Sequence, residues 1–390
     1  MTFRVPSEMT EATRLTRAGR LFEATALIQR LLRGRGVSGP APTTSSAVID
    51  AEYVALDAAR RTNTTFGTVY ARPRAGLGET LRRLAVNARA AGLENAEGFA
   101  SRATPDPLPD GASFITASYT NEAGTRAYKL YSPGNHGERL PLIVMLHGCT
   151  QSPDDFAAGT RMNALAEENG CLVAYPAQAA FANAKKCWNW FKPDHQQRDQ
   201  GEPGLIAGIT RQIMRGHPVD PSGVYIAGLS AGGAAAAVIG AAYPDLYAAI
   251  GVHSGLPSGA AHDLPSAFAA MRQGGEGSGC ATRFIPTIVF HGDEDPIVHP
   301  RNGDAVLAQA IASATDLRST VQHGQAPGGH RYSRTVHADP AGRALCEHWT
   351  IHGAGHAWAG GSPSGSYTDP QGPDATREML RFFLEHRNHG

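Results

Sequence analysis

The sequence predicts an α/β fold, a mostly parallel sheet with helices on both faces, preceded by an N-terminal helical and disordered extension. Three observations lead there. From Ser113 onward, short apolar runs alternate with helix-like segments, the pattern of strands buried on both faces and joined by crossover helices. The chain has 390 residues, 42% of them hydrophobic, which suits one large domain with an appendage. No apolar run approaches the roughly 20 residues needed to cross a bilayer, so these runs belong to a folded core.

Taken in order, residues 1–107 are expected to form the extension and 108–390 the main α/β domain. Met9, Ala12 and Leu15, then Leu21, Ala24, Leu27, Ile28 and Leu31, recur at helical spacing around a break at Gly19. "GRGVSGPAPTTSSA" is a flexible linker by composition. "GETLRRLAVNARAAGL" predicts a short helix, and "ATPDPLPDGAS" a second linker. The extension is mildly basic, and its expected role is a solvated appendage or a docking segment.

"SFITASYT" and "RAYKLYS" around "NEAG" predict a hairpin. "PLIVMLH", "CLVAYP", "GVYIAG", "AAIGVHS", "PTIVFHG" and "EHWTIHG" are the buried strands. Helices are expected near 154–169, 204–215, 231–243, 301–314 and 374–386. In such folds the site lies at the carboxyl ends of the strands.

Composition narrows the function classes. Basic and acidic residues number 35 each, for a net charge of +0, which removes the electrostatic argument for a nucleic-acid partner. The N-terminus lacks the apolar core of a secretory leader. The expectation is a cytoplasmic protein, a mature form, or export by another route. Five cysteines, an odd count, fit reduced and buried thiols.

The chemistry sits in Gly228-Leu229-Ser230-Ala231-Gly232, a G-x-S-x-G placed directly after a strand and before a helix. A nucleophilic serine must stand exposed on a turn too tight for flanking side chains, and glycines permit it. The Ala231 amide then heads a helix, where N–H groups are free to hold an oxyanion. The acid and base are expected after later strands, in the order serine, acid, histidine. "PTIVFHGDEDPIV" supplies Asp295, with Asp293 as runner-up. "EHWTIHGAGHAWAGG" offers His348, His352 and His356. Their spacing of four would suit zinc on a helix, but Trp349, Thr350 and Ile351 favour a strand and Gly353 and Gly355 break helices. His356, in the loop beyond the strand, is therefore the expected base, and no metal or other cofactor is required. His147-Gly148-Cys149 is a variant of the loop that donates a second oxyanion amide, here that of Cys149, with His147 shaping the loop.

"LHGCTQ", "CWNWF", "GEPGLIAGI", "VYIAGLSAGG", "HGDEDPIV" and "GAGHAW" occur in this order. Together they resemble the polyhydroxybutyrate depolymerase family of esterases, whose relatives include feruloyl and acetyl-xylan esterases. The likeness spans roughly residues 113–386. It implies an α/β-hydrolase fold, a Ser230–Asp295–His356 triad and an oxyanion hole from the Cys149 and Ala231 amides. It further implies a Cys149–Cys187 disulfide. A like pairing of Cys280 with Cys346 would leave Cys171 free. Many such esterases are secreted, and the missing leader departs from that pattern. Trp188, Trp190 and Phe191 after Cys187, and Trp358 beyond the base, are expected either to wall a site for an apolar ester or to fill the core. The expected substrate is a short-chain 3-hydroxyalkanoate polyester or its oligomers, with polymer docking through residues 1–107 or the catalytic surface. Feruloyl, acetyl or other short-chain esters are the nearer alternative. A non-catalytic granule or surface-binding protein is the distant one.

Overall fold

The computed structural model describes residues 108–134, 137–278 and 283–388. The helices and linkers expected within residues 1–107, and any docking role for them, lie outside the described residues, as does Cys280.

The chain enters its sheet through the expected hairpin, β1 (Ser113–Asn121) and β2 (Gly124–Ser132). There follow β3 (Leu140–Leu146), α1 (Pro153–Thr160), α2 (Met162–Asn169), β4 (Leu172–Pro176) and α3 (Gly201–Gly216). Next come β5 (Val219–Leu229), α4 (Ala231–Ala242), β6 (Ala249–His253), α5 (Leu264–Gln273) and β7 (Thr287–Gly292). The remainder is α6 (Arg301–Ile311), β8 (Arg318–Gln325), β9 (Arg331–Ala338), β10 (Ala344–His352), the short pair β11 (Trp358–Ala359) and β12 (Thr368–Asp369), and α7 (Ala375–Leu384).

Ten strands form one sheet in the order β1-β2-β4-β3-β5-β6-β7-β10-β9-β8. The six from β4 to β10 run parallel, and antiparallel hairpins flank them on each side. Because strand side chains alternate between faces, β3 feeds two cores. Leu142, Val144 and Leu146 pack with Ile206 and Ile209 of α3 and the alanines of α4. Ile143 and Met145 pack on the opposite face with Phe156 of α1, Met162 of α2 and Phe382 of α7. Parallel register brings the carboxyl ends of β3, β5, β6, β7 and β10 to one rim, which is where the loops with the proposed chemistry emerge.

The elements depart from the sequence reading at several points. The single helix expected over 154–169 is two, because Arg161 turns left-handed (φ 56°) between α1 and α2. The β8–β9 hairpin and α5 were not anticipated. β8, "RSTVQHGQ", is exposed at nearly every position, so it carries no apolar alternation by which a strand is recognised.

A buried carboxylate ties the outer strands to α7. Glu347 on β10 is fully enclosed and accepts from Arg334 (2.6 and 3.0 Å), Arg381 (2.8 and 2.9 Å) and the Trp349 indole (3.0 Å). Burial alone would raise its pKa. The two guanidinium groups outweigh burial and hold it below its ordinary value of 4.5. A depressed folded-state pKa contributes stability above the unfolded value, which is lost as pH falls through the folded one. Glu347→Ala is therefore expected to cost about 3 kcal/mol at neutral pH. In urea unfolding, the gap from wild type should shrink steadily as pH drops below 4.5.

Candidate active site

Ser230 follows β5 with φ 58° and ψ −119°, a conformation costly for a side-chain-bearing residue. The flanking glycines are what allow it. A Cβ at Gly228 would lie 2.3 Å from the Gly232 carbonyl, and one at Gly232 would lie 2.1 Å from Leu146 O. The Ser230 N–H donates to His253 O (2.8 Å), and α4 begins at the next residue. The Ala231 N–H thus heads a helix, as the motif requires.

Asp295 and His356 come together. His356 Nδ1 donates to Asp295 Oδ2 at 2.7 Å. Asp295 Oδ1 accepts from the N–H groups of Ile297 and Val298, each at 2.9 Å. His291 Nε2, which donates to Val298 O, stands 3.5 Å from Oδ2. Burial pushes the Asp295 pKa up, but the adjacent His291 ring and the hydrogen bond from His356 outweigh it and hold the carboxyl well below the usual carboxylate range. An ionised Asp295 fixes the His356 proton on Nδ1, leaving Nε2 as an acceptor. The Ser230 hydroxyl makes no hydrogen bond among the described residues. Serine–imidazole contacts of this kind often close only when substrate is seated.

The three candidate histidines part company. His348 is buried with Nδ1 3.6 Å from Asp304. His352 donates from Nδ1 to Asp293, the runner-up acid, at 2.8 Å. Asp293 is thereby committed to His352 and to the Gly353 N–H (2.7 Å), and Asp295 alone reaches His356.

The His147–Cys149 loop is braced from behind. His147 is buried, its Nδ1 donating to Gly148 O (2.7 Å) while Nε2 accepts from the Gln178 N–H (3.1 Å). Burial drops its pKa to about 4, so it is neutral and structural, as expected. Gly148 N–H donates to Gln151 Oε1 (2.8 Å), and Thr150 is held at φ 67° by a bond from its N–H to Lys185 O (2.7 Å). The Cys149 N–H makes no hydrogen bond among the described residues and is available as a donor. Cys149 is joined to Cys187 by a disulfide, their Cα atoms 4.2 Å apart.

Two supports escaped the sequence reading. His253 is buried between Phe290 and Trp358, at ring-centroid distances of 5.8 and 5.0 Å. Its carbonyl holds Ser230, and its Nε2 accepts from the Ala359 N–H (3.0 Å). It thus links the serine turn to the segment just past His356, and burial lowers its pKa to about 3. Glu202, 2% exposed at the start of α3, accepts from Asn189 N (2.7 Å), Asn189 Nδ2 (2.8 Å) and Gln178 Nε2 (2.5 Å). It thereby anchors the Cys187–Asn189 segment and the residue that holds His147. The "GEPGLIAGI" motif contained Glu202, but nothing local marked a carboxylate at a helix start as buried.

Two expectations are corrected. Trp188 and Trp358 are fully buried and Trp190 nearly so, so none can wall a substrate site. The Trp188 indole donates to His147 O (3.0 Å) and that of Trp358 to Thr376 Oγ1 (2.8 Å), and Trp190 packs edge-on to Phe191. They are the core beneath the site. The Cys280–Cys346 pairing is also not made. Cys346 is a free thiol enclosed between β7 and β9, and burial pushes its pKa up to about 12. Cys171 is free and buried likewise.

The Cys149–Cys187 bridge closes a 38-residue interval, which loop-closure entropy values at about 4 kcal/mol. The double variant Cys149→Ser/Cys187→Ser is expected to melt on the order of 10 °C lower. Its kcat on a soluble ester should fall on the order of 10- to 100-fold through a loosened Cys149 amide, with KM changing less. Unchanged kcat would remove the bridge from the oxyanion loop's support.

The family model described as esterase PHB depolymerase matches residues 126–325, just over half of the chain, a stretch that includes Ser230 and Asp295 and stops short of His356. Poly(3-hydroxyalkanoate) depolymerase C of Paucimonas lemoignei is 32% identical over 61% of this chain and 59% of its own length. Feruloyl esterase B of Thermothelomyces thermophilus is 29% identical over 50% of this chain and 72% of its own. Against the depolymerase, then, the chain spans less than two thirds of the relative's length. Among solved structures, an acetyl xylan esterase from Aspergillus awamori superposes with a TM-score of 0.54 at 19% identity, covering 70% of this chain and 99% of its own. That likeness concerns the fold, an α/β-hydrolase. By the family match, the chain belongs to the PHB depolymerase family of esterases.

Proposed function

We propose that the protein is a serine esterase that cleaves 3-hydroxyalkanoate polyesters or their oligomers through an acyl-enzyme. The observation that carries this reading is the His356–Asp295 pair, with Nε2 free, on the same sheet rim as a left-handed serine turn. Ser230 Oγ attacks the ester carbonyl and His356 Nε2 takes its proton. Asp295 keeps the imidazole in the receptive tautomer and stabilises the imidazolium. The Cys149 and Ala231 amides receive the negative charge on the carbonyl oxygen. The imidazolium protonates the leaving alcohol, and water then releases the acid by the reverse path.

Support for a polyester comes from the similarity to the depolymerase of Paucimonas lemoignei. Exposed apolar side chains add to it. Phe181 (83% exposed), Ile297 (49%) and Tyr367 (41%) project from loops that follow β4, β7 and β11, and the Tyr367 hydroxyl lies 3.3 Å from Thr150 Oγ1 beside the oxyanion loop. The second reading is a feruloyl or acetyl-xylan ester, favoured by the coverage of the feruloyl esterase relative and by the acetyl xylan esterase fold. Both share one mechanism and differ in the acyl group.

Ser230→Ala is expected to cut turnover of a soluble ester by roughly 10³-fold or more with unchanged circular dichroism. A serine-directed fluorophosphonate should mark Ser230 in peptide maps. Retained turnover would refute the assignment, and failure to label would favour a binding protein. A substrate panel separates the two esters: 3-hydroxybutyrate released from polymer film faster than ferulate or acetate from plant esters supports the polyester reading, and the reverse order overturns it.

A further inference from the structure

A second serine–imidazole–carboxylate chain runs from the outer β8–β9 hairpin across the end of β10 to the loop after β7, and its links are closed. Ser333 of β9 stands opposite Thr350 of β10 and His323 of β8. Its Oγ lies 2.8 Å from His352 Nε2, and His352 Nδ1 lies 2.8 Å from Asp293 Oδ2. Asp293 Oδ1 is fixed in turn by the Gly353 N–H at 2.7 Å. His323 Nδ1 approaches the same serine oxygen at 3.0 Å.

Proton counting orders these contacts. A carboxylate only accepts, so His352 carries its proton on Nδ1, and its Nε2 is an acceptor. The single Ser333 proton therefore points to His352, and His323 Nδ1 donates to Ser333 Oγ. A hydroxyl aimed at a carboxylate-oriented imidazole is the arrangement that activates serine. The chain is partly open to solvent, Ser333 being half-buried and the His352 and Asp293 side chains 43% and 37% exposed.

We infer that Ser333 is a second acyl-accepting nucleophile, served by His352 and Asp293, and that it takes an acyl group from an activated ester independently of Ser230. The Ser333 oxygen bonds to the carbonyl carbon, the bond from that carbon to the leaving phenolate breaks, and the serine proton passes through His352 Nε2 to the departing phenolate. The products are an acyl-serine and a phenol. What the site lacks is a place for the oxyanion. Ser333 sits inside β9 with ladders on both sides, which commit the neighbouring N–H groups, and no helix begins there. Acylation is slowed as well and needs an ester with a good leaving group such as a nitrophenolate. The acyl-serine, whose leaving group is an alkoxide, hydrolyses slower still, so Ser333 is a stoichiometric modification site rather than a turnover site.

The test uses full-length Ser230→Ala protein and p-nitrophenyl acetate, so its outcome does not depend on the role proposed for Ser230. Intact mass should show one acetyl group gained per chain, mapped to Ser333. Ser230→Ala/Ser333→Ala should gain none there, and Ser230→Ala/His352→Ala should acetylate at least about 10-fold more slowly. With Ser230 intact, Ser333→Ala should leave ester turnover unchanged. Acetyl groups on lysines or imidazoles with Ser333 unmodified would overturn the inference, as would an undiminished rate in the His352 variant. A fall in turnover on Ser333→Ala would overturn its independence from Ser230.

Discussion

Two missing side chains set the geometry at the top of the sheet. With no Cβ at Gly228 and Gly232, α4 drops onto β5 and the helix start meets Leu146 O of β3. That backbone contact does two things. It forces Ser230 into its left-handed turn, and it brings the His147–Cys149 loop, which continues from Leu146, against the same helix end. The Ser230 turn and the two backbone amides proposed to hold the oxyanion thus depend on one steric constraint. Any side chain there would separate backbone from backbone, which no rotamer change can relieve.

The second organising element is buried polarity with nearly every partner supplied. His147 and His253 are neutral because burial disfavours their charge, and each spends its ring nitrogens on neighbouring groups. Burial would raise the Glu202 pKa, but the His195 ring and the amides of Gln178 and Asn189 outweigh it and hold the carboxyl below its ordinary value. Such groups cost little once bonded and much if a partner is lost. They therefore hold the serine turn, the His147–Cys149 loop and the His356 segment in one arrangement.

Much of this was legible in the chain. The parallel strands announced themselves as apolar runs, and the G-x-S-x-G at a strand-to-helix junction located the serine turn. Loop order then picked out Asp295 and His356, which the structure joins. Three things were not legible, each for a physical reason. β8 is exposed at almost every position, so no periodicity marks it. The tryptophans resemble binding residues by type, and only the fold decides that their indoles donate inward to His147 O and Thr376. His253 and Glu202 act through partners up to 106 residues away, a separation at which local pattern carries no information.

The hairpin that the sequence concealed has one more consequence. β8 ends the sheet, and a terminal strand offers unpaired N–H and C=O groups to any other extended chain. Here that border is lined with Arg318, Ser319, Thr320, Gln322 and His323, all exposed, with Val321 the lone aliphatic side chain. Polar and charged side chains at the margin resist strand-to-strand stacking between molecules. An open ten-stranded sheet is thereby kept from growing into an aggregate at this end.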